Sequence, residues 1–266
     1  MTPWALLLEY DGTGFVGWQR QAVGTTVQGV LESALVRLSG PAHSVAAGRT
    51  DTGVHATGQV ALVSLPDTMQ AHQVRNALNF HMRPHPVAVL RAAPAAEGWS
   101  PRFSALGRRY EYRILTRPAP PVLQRGRVWH VDRRLDGGAM QAGADRLLGH
   151  HDFTSFRAAA CQAHSPMRTL DVLRVTAAGD WVLIEAEARS FLHHQVRNLV
   201  GTLKLVGEGR WTPEAVGTAL AARDRAAAGP TAPPYGLTLC SVAFATDPFA
   251  VARSSPDGIA NQHSNR

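Results

Sequence analysis

The chain has 266 residues, 45% of them hydrophobic and 18% charged, which is enough to bury a core and excludes global disorder. It lacks any run of about 18 uncharged apolar residues, which excludes a transmembrane helix, and two distant cysteines, Cys161 and Cys240, exclude a disulfide scaffold or a zinc ribbon. The net charge of +7 indicates a polyanionic partner, most often nucleic acid. Residues 1–10 carry no secretory pattern, so we predict a cytoplasmic protein without membrane attachment.

The first hundred residues predict strands and helices in the order β-α-β-β-α-β. The first helix is favoured by threonine caps and by an apolar stripe at i, i+3 and i+4 spacing. The predicted elements cover residues 4–10, 25–38, 45–47, 59–64, 71–80 and 87–92. This order is typical of a ferredoxin-like half, a sheet with two helices on one face.

The second half continues in the same mixed style with larger loops. A short polar turn at residues 177–180 predicts a hairpin, and Pro213 suits the first turn of a helix. Strands are predicted over 109–115, 172–176, 181–188 and 237–245, and helices over 135–148, 191–206 and 212–222.

Two further sequence patterns resemble known binding sites, but the residues around them do not fit those sites. Residues 12–17 match GxGxxG after a strand, but a dinucleotide-binding fingerprint must open a helix, and a polar segment follows here instead.

The adjacent histidine pairs at 150–151 and 193–194 are predicted to point in different directions, because neighbours on a helix do not share a face. We therefore predict no metal site, and favour capping, packing or phosphate contact for these histidines.

The most informative segment is GRTDTGVH at residues 48–55, an arginine two residues before Asp51 in a glycine-flanked turn between strands. A carboxylate in a turn usually only accepts hydrogen bonds from its own backbone, and for Asp51 alone that alternative stays open. Three other segments also combine aromatic residues with charged or polar ones over a short stretch. They are YDG with GWQRQ within residues 10–21, FSALGRRY at 103–110, and FLHHQVRN at 191–198.

Together these segments resemble the tRNA pseudouridine synthase A family over nearly the whole chain. The resemblance implies isomerisation of uridine to pseudouridine at positions 38, 39 and 40 of the tRNA anticodon stem-loop, by a homodimer without metal or organic cofactor. It also implies an α+β fold, with two ferredoxin-like lobes of mainly antiparallel sheets forming a central basic cleft. We expect an N-terminal lobe at 1–105 carrying the catalytic turn, a C-terminal lobe at 106–249, and a disordered tail at 250–266.

The same resemblance implies roles for individual residues. Asp51 matches the catalytic aspartate, and Arg197 matches the basic residue that pairs with it. Tyr110 matches the tyrosine that stacks on the target uracil, and Leu237 matches the leucine beneath the base. Arg49 matches the arginine that helps to displace the target nucleotide.

One position departs from the family: Thr238 stands where a tyrosine often follows the glycine-leucine pair. Further arginines are predicted to contact phosphates without reading sequence. They are Arg20, Arg108, Arg109 and Arg157.

Two questions remain open at this stage. A carboxylate can attack C1′ as a nucleophile or take the 2′ proton to give a glycal, and the sequence does not choose. An alternative from another class is a catalytically inert tRNA-binding or RNA-chaperone protein on the same scaffold, since the basic charge fits both.

Overall fold

The computed structural model describes residues 1–250, so the tail predicted over 250–266 lies outside the described residues except for its first one. The N-terminal half has the predicted order β-α-β-β-α-β. Its elements are β1 (Thr2–Tyr10), α1 (Val27–Ser39), β2 (Val45–Ala46), β3 (His55–Leu65), α2 (Ala71–His81) and β4 (Val87–Pro94). As predicted, a threonine caps α1: the Thr26 side chain accepts a hydrogen bond from the backbone N–H of Gly29.

The C-terminal half adds six strands and three helices within the described residues. They are β5 (Ala105–Thr116), β6 (Trp129–Val131), α3 (Gly137–Asp145), β7 (Gly149–Asp152), β8 (Met167–Ala178), β9 (Trp181–Ala188), α4 (Gln195–Gly207), α5 (Pro213–Ala222) and β10 (Leu237–Phe244). The predicted hairpin and the start of α5 are confirmed. The short strands β6 and β7 were not predicted, because three or four residues are too few to show a period-two pattern.

All of these strands belong to one mostly antiparallel sheet, with the order β4-β1-β3-β10-β5-β9-β8-β7; β2 pairs with β3, and β6 pairs with β5. The fold is therefore mixed α/β with helices and a largely antiparallel sheet. β10 runs antiparallel to β5 and parallel to β3, where Thr238 lies opposite His55. This pairing joins the two halves and brings Leu237 close to the turn that precedes β3.

The core of the N-terminal half forms between the sheet and its two helices. Leu6 and Leu8 of β1, Leu31 and Leu35 of α1, and Leu78 of α2 are fully buried in one cluster, each contributing about 1.5–3 kcal/mol through burial. Among residues 1–250, none of the helices combines the length and the apolar character needed to cross a membrane.

Candidate active site

Asp51 lies in the turn between β2 and β3, and hydrogen bonds from buried side chains hold this turn. The hydroxyl oxygens of Tyr10 and Thr50 are 2.8 Å apart, and the side-chain amide of Gln59 donates to the carbonyl oxygen of Gly48 at 2.7 Å. Burial raises the pKa of Tyr10 to about 12, so its hydroxyl keeps its proton at neutral pH. The chain immediately before Asp51 is thus held in place.

The glycine-rich segment 12–17 packs against the back of the same turn. Gly17 has φ +97°, and a Cβ added there would lie 2.8 Å from the carbonyl oxygen of Thr50. A Cβ at Gly12 would overlap the carbonyl oxygen of Val54. Glycine permits this close approach of two backbones, so the GxGxxG pattern supports the turn and, apart from one 3-10 turn at Gly12–Gly14, opens no helix.

The Asp51 carboxylate faces three nitrogen groups from the segment around the start of α4. Its Oδ2 lies 3.3 Å from Nη1 of Arg197 and 3.4 Å from Nε2 of His194, and its Oδ1 lies 3.4 Å from Nε2 of His193. The Nε of Arg197 donates to the carbonyl oxygen of Ala232 at 2.8 Å, which fixes the plane of the guanidinium. The structure therefore brings Asp51 and Arg197 together as the sequence predicts.

The two histidines point the same way, which corrects the expectation that they diverge. α4 begins at Gln195, not at 191, so both residues precede the helix. His194 has φ 62°, a left-handed conformation that costs a non-glycine residue about 1–2 kcal/mol, and the two imidazole centroids are 4.0 Å apart. Burial lowers the pKa of His194, opposed in part by Asp51, so the neutral ring prevails at pH 7.

Tyr110 and Leu237 line the cleft beside the carboxylate, from β5 and β10. The Tyr110 ring packs edge-on against Phe191, with centroids 5.3 Å apart and an angle of 89° between the planes. Tyr110 of β5 lies opposite Leu239 of β10. Leu237, two residues earlier on β10, lies on the same face because side chains alternate along a strand. Burial raises the pKa of Tyr110, so its phenol is neutral. The cleft thus offers an aromatic side chain and an apolar surface next to a carboxylate.

The cleft has a volume of about 1480 Å³ and is lined by both halves of the chain. This exceeds the roughly 300–1,000 Å³ of a small-molecule site. Among the described residues Asp51 is the only carboxylate in the lining, whereas several arginines line it. These are Arg49, Arg102, Arg108, Arg168, Arg189 and Arg197.

Comparison with known proteins agrees with this architecture. A sequence model of a family described as tRNA pseudouridine synthase matches residues 7–104 and 144–245. A tRNA pseudouridine synthase A from Acidiphilium cryptum is 65% identical over 252 residues, covering 94% of this chain and 99% of that protein. This chain belongs to the tRNA pseudouridine synthase family.

Two further members of the family are similar over most of their length. The tRNA pseudouridine synthase A of Paramagnetospirillum magneticum is 57% identical, over 97% of this chain and all of that protein. The one from Rhodospirillum centenum is 60% identical, over 89% of this chain and 97% of that protein. The matched ranges include the turn of Asp51, the strand start at Leu237 and the first turn of α4.

Three arginines predicted to contact RNA lie outside the lining of the cleft. Arg20 is exposed and forms an ion pair with Glu32 at 3.6 Å. Arg109 points away from the Tyr110 face of β5 and pairs with Glu185. Arg157 follows a short 3-10 turn at Thr154–Phe156 and also lies apart from the cleft. Their contacts with RNA remain predictions.

Arg108 lines the cleft but is buried, and its guanidinium is already engaged. It donates to the carbonyl oxygens of Ala47 at 2.6 Å, of Arg102 at 3.0 Å, and of Arg189. These bonds tie the turn before Asp51 to the opposite wall of the cleft. Arg49, in contrast, is exposed and forms no hydrogen bond or ion pair with the other residues of the range 1–250.

Sequence reasoning missed the residues that hold the turn and the carboxylate. Tyr10 belongs to the YDG segment and Gln59 to a predicted strand, but neither was given a role of its own. Their burial and their partners reveal their contact with the turn. For His193 and His194 the signal was present, since two polar rings stand directly before an apolar helical stripe. Treating them as part of that helix concealed their shared direction.

Proposed function

We propose that this chain isomerises uridine to pseudouridine at positions 38, 39 and 40 of the tRNA anticodon stem-loop. Its membership of the tRNA pseudouridine synthase family supports the reaction. The observation that carries the proposal is the Asp51 carboxylate, held 3.3 Å from Arg197 in an arginine-lined cleft beside Tyr110.

The chemistry requires little more than a well-placed carboxylate. The N1–C1′ bond breaks, the uracil turns, the C5–C1′ bond forms, and a proton passes from C5 to N1. Asp51 acts either as the nucleophile at C1′ or as the base that removes the 2′ proton. Arg197 fixes the orientation of the carboxylate, while Tyr110 and Leu237 contact the detached uracil as it turns.

The target base must first leave its stack, which costs a few kcal/mol. Arg49 is exposed, lies two residues before Asp51 and has no partner within residues 1–250, so we propose that it occupies the vacated space. The other arginines of the lining supply phosphate contacts that position the RNA. RNA of this kind is recognised mainly by its shape.

We also propose the lobe arrangement that the sequence suggested, 1–105 and 106–249, with the basic cleft between the lobes. The order β4-β1-β3, with β2 on β3, supports a ferredoxin-like N-terminal lobe. We further propose a cytoplasmic homodimer. The neighbouring side chains of Val122 and Leu123 are 70% and 93% exposed, and such an interface would cover them. Sedimentation equilibrium measures the mass directly.

The decisive experiment compares Asp51→Asn with Asp67→Asn, an exposed aspartate outside the cleft lining. Each protein is incubated with an unmodified tRNA transcript, and pseudouridine is mapped by base-specific chemistry. We expect wild type and Asp67→Asn to modify the anticodon stem, and Asp51→Asn to bind tRNA within a few fold of wild type without turnover.

Two results would contradict the proposal. Absence of product from wild type at every anticodon-stem uridine would favour the inert RNA-binding alternative. Turnover by Asp51→Asn above roughly one hundredth of wild type would remove Asp51 from the chemistry, because losing a covalent catalyst normally costs more.

A further inference from the structure

We infer that Asp51, His193 and His194 together bind a divalent transition-metal ion of the zinc class, and that this ion blocks the carboxylate reversibly. The inference goes beyond the proposed isomerisation, in which no metal takes part. It assigns to the cleft a second ligand, an inhibitory metal ion.

The distances among the donor atoms fit such an ion. Two ligands each about 2.0–2.1 Å from zinc, at a tetrahedral angle, are about 3.4 Å apart. The Nε2 atoms of His193 and His194 lie at this distance, 3.4 Å each, from Oδ1 and Oδ2 of Asp51. All three residues offer donor atoms within 4.8 Å of one another, so an ion can reach them with only small side-chain movements.

The backbone of the two histidines is fixed without the metal. The N–H of Ala158 donates to the carbonyl oxygen of His193 at 2.9 Å, and the N–H of Asn198 donates to that of His194 at 2.9 Å. The left-handed conformation of His194 turns its ring to the side of its neighbour. A chelating pair that is ordered before binding loses less conformational entropy when the ion arrives.

The donor set selects the class of ion. Two imidazoles and one carboxylate suit zinc, copper, nickel and cobalt ions, whereas magnesium and calcium ions prefer oxygen ligands alone. An imidazole binds a metal through the lone pair of its neutral form, so binding at this site should weaken as pH falls. The ordinary magnesium ions that accompany tRNA would therefore not occupy this site.

The neighbouring cation decides how tightly the ion is held. Nη1 of Arg197 lies 3.3 Å from Oδ2 of Asp51 and opposes a second positive charge there. The rings are open to the cleft, with the side chains of His193 and His194 42% and 29% exposed, so water completes the coordination. The result is a reversible site, weaker than a structural zinc site. While the ion is bound, it neutralises the negative charge of the Asp51 carboxylate, which is then a poor nucleophile and a poor base.

The test is isothermal titration calorimetry of the untagged, full-length chain with Zn²⁺. The variants are His193→Ala and His194→Gly, the second chosen because glycine accepts the left-handed backbone and preserves the loop. The matched control is the double variant His150→Ala/His151→Ala, which removes the other adjacent histidine pair, on β7. Circular dichroism verifies that each variant is folded.

We expect one site per chain in the wild type and in the control pair. His193→Ala and His194→Gly should each weaken it at least tenfold, which corresponds to about 1.4 kcal/mol. Zn²⁺ should also inhibit pseudouridine formation, and a chelator should restore it. Affinity within threefold of wild type in both single variants, or no binding by wild type up to millimolar Zn²⁺, would overturn the inference.

The two proposals fail separately in this design. A chain without isomerase activity that still binds Zn²⁺ through His193 and His194 would keep the metal site and refute the proposed function. An active chain whose zinc affinity is the same in both histidine variants would keep the proposed function and refute the metal site.

Discussion

The hydroxyl of Tyr10 offers a way to loosen the turn that carries Asp51 without touching the carboxylate. Tyr10 and Thr50 are both buried, and their hydroxyl oxygens are 2.8 Å apart. Tyr10→Phe removes one partner and leaves the Thr50 hydroxyl unsatisfied, which costs about 1–3 kcal/mol. At roughly 2–4 °C per kcal/mol for a chain near this size, the melting temperature should fall by about 2–12 °C.

The same change should slow the reaction, because Asp51 directly follows Thr50. A displacement of about 1 Å at a reacting group can cost a hundredfold in rate, so we expect kcat to fall by roughly ten- to a hundredfold with little change in KM. The assays are differential scanning calorimetry and steady-state kinetics of pseudouridine formation.

The matched control is Tyr235→Phe, at a tyrosine that is 36% exposed and whose hydrogen bond within residues 1–250 is made by its carbonyl oxygen and not by its hydroxyl. It should behave like wild type. If Tyr10→Phe melts and turns over like this control, the Tyr10–Thr50 contact does not position Asp51, and the reasoning is refuted.

Three further predictions concern the base, the displaced nucleotide and pH. Tyr110→Phe and Tyr110→Leu should both impair turnover. Binding of tRNA should weaken more in the leucine variant, because stacking on a base contributes about 1–3 kcal/mol. Wild-type rates in both variants would show that Tyr110 takes no part in the reaction. Arg49→Ala should slow single turnover more than it weakens binding. Arg109→Ala should at most lower the salt dependence of binding by about one phosphate contact. An intact single-turnover rate in Arg49→Ala would show that Arg49 is only another phosphate contact. The pKa of Tyr10 is raised from 10.0 to about 12 in the folded chain, so the unfolded chain releases this proton first. The free energy of unfolding should therefore fall as pH rises from about 10 to 12. Urea unfolding over this range should show a smaller loss of that free energy for Tyr10→Phe.

Local patterns predicted the regular elements well where one stretch of chain carries the whole signal. The stripe of buried Leu31 and Leu35 and the cap at Thr26 place α1 without reference to the rest of the molecule. α4 shows the limit. Its apolar stripe is real, but Gln195 ends the preceding loop by accepting a hydrogen bond from the N–H of Leu192 at 2.8 Å, and this contact shortens the helix.

The site depends on contacts between distant segments, and these are not readable from local pattern. Asp51 and Arg197 are 146 residues apart, so their pairing was predicted only through the family resemblance. The direction of His194 depends on a left-handed backbone conformation, which is uncommon for any residue other than glycine and is not signalled by the local sequence. The predicted RNA contact of Arg108 came from its charge, whereas its burial against three carbonyl oxygens is a property of the folded cleft.

The position of β10 between β3 and β5 also has a consequence for the newly made chain. The ribosome completes β3 and β5 long before β10, so both strands keep an unpaired edge during most of translation. Such edges are templates for pairing with other chains, and closing them requires a contact of long sequence separation, which forms slowly. Leu237 arrives with that same strand. The nascent protein therefore acquires this apolar part of its cleft in the same step that protects its sheet from aggregation.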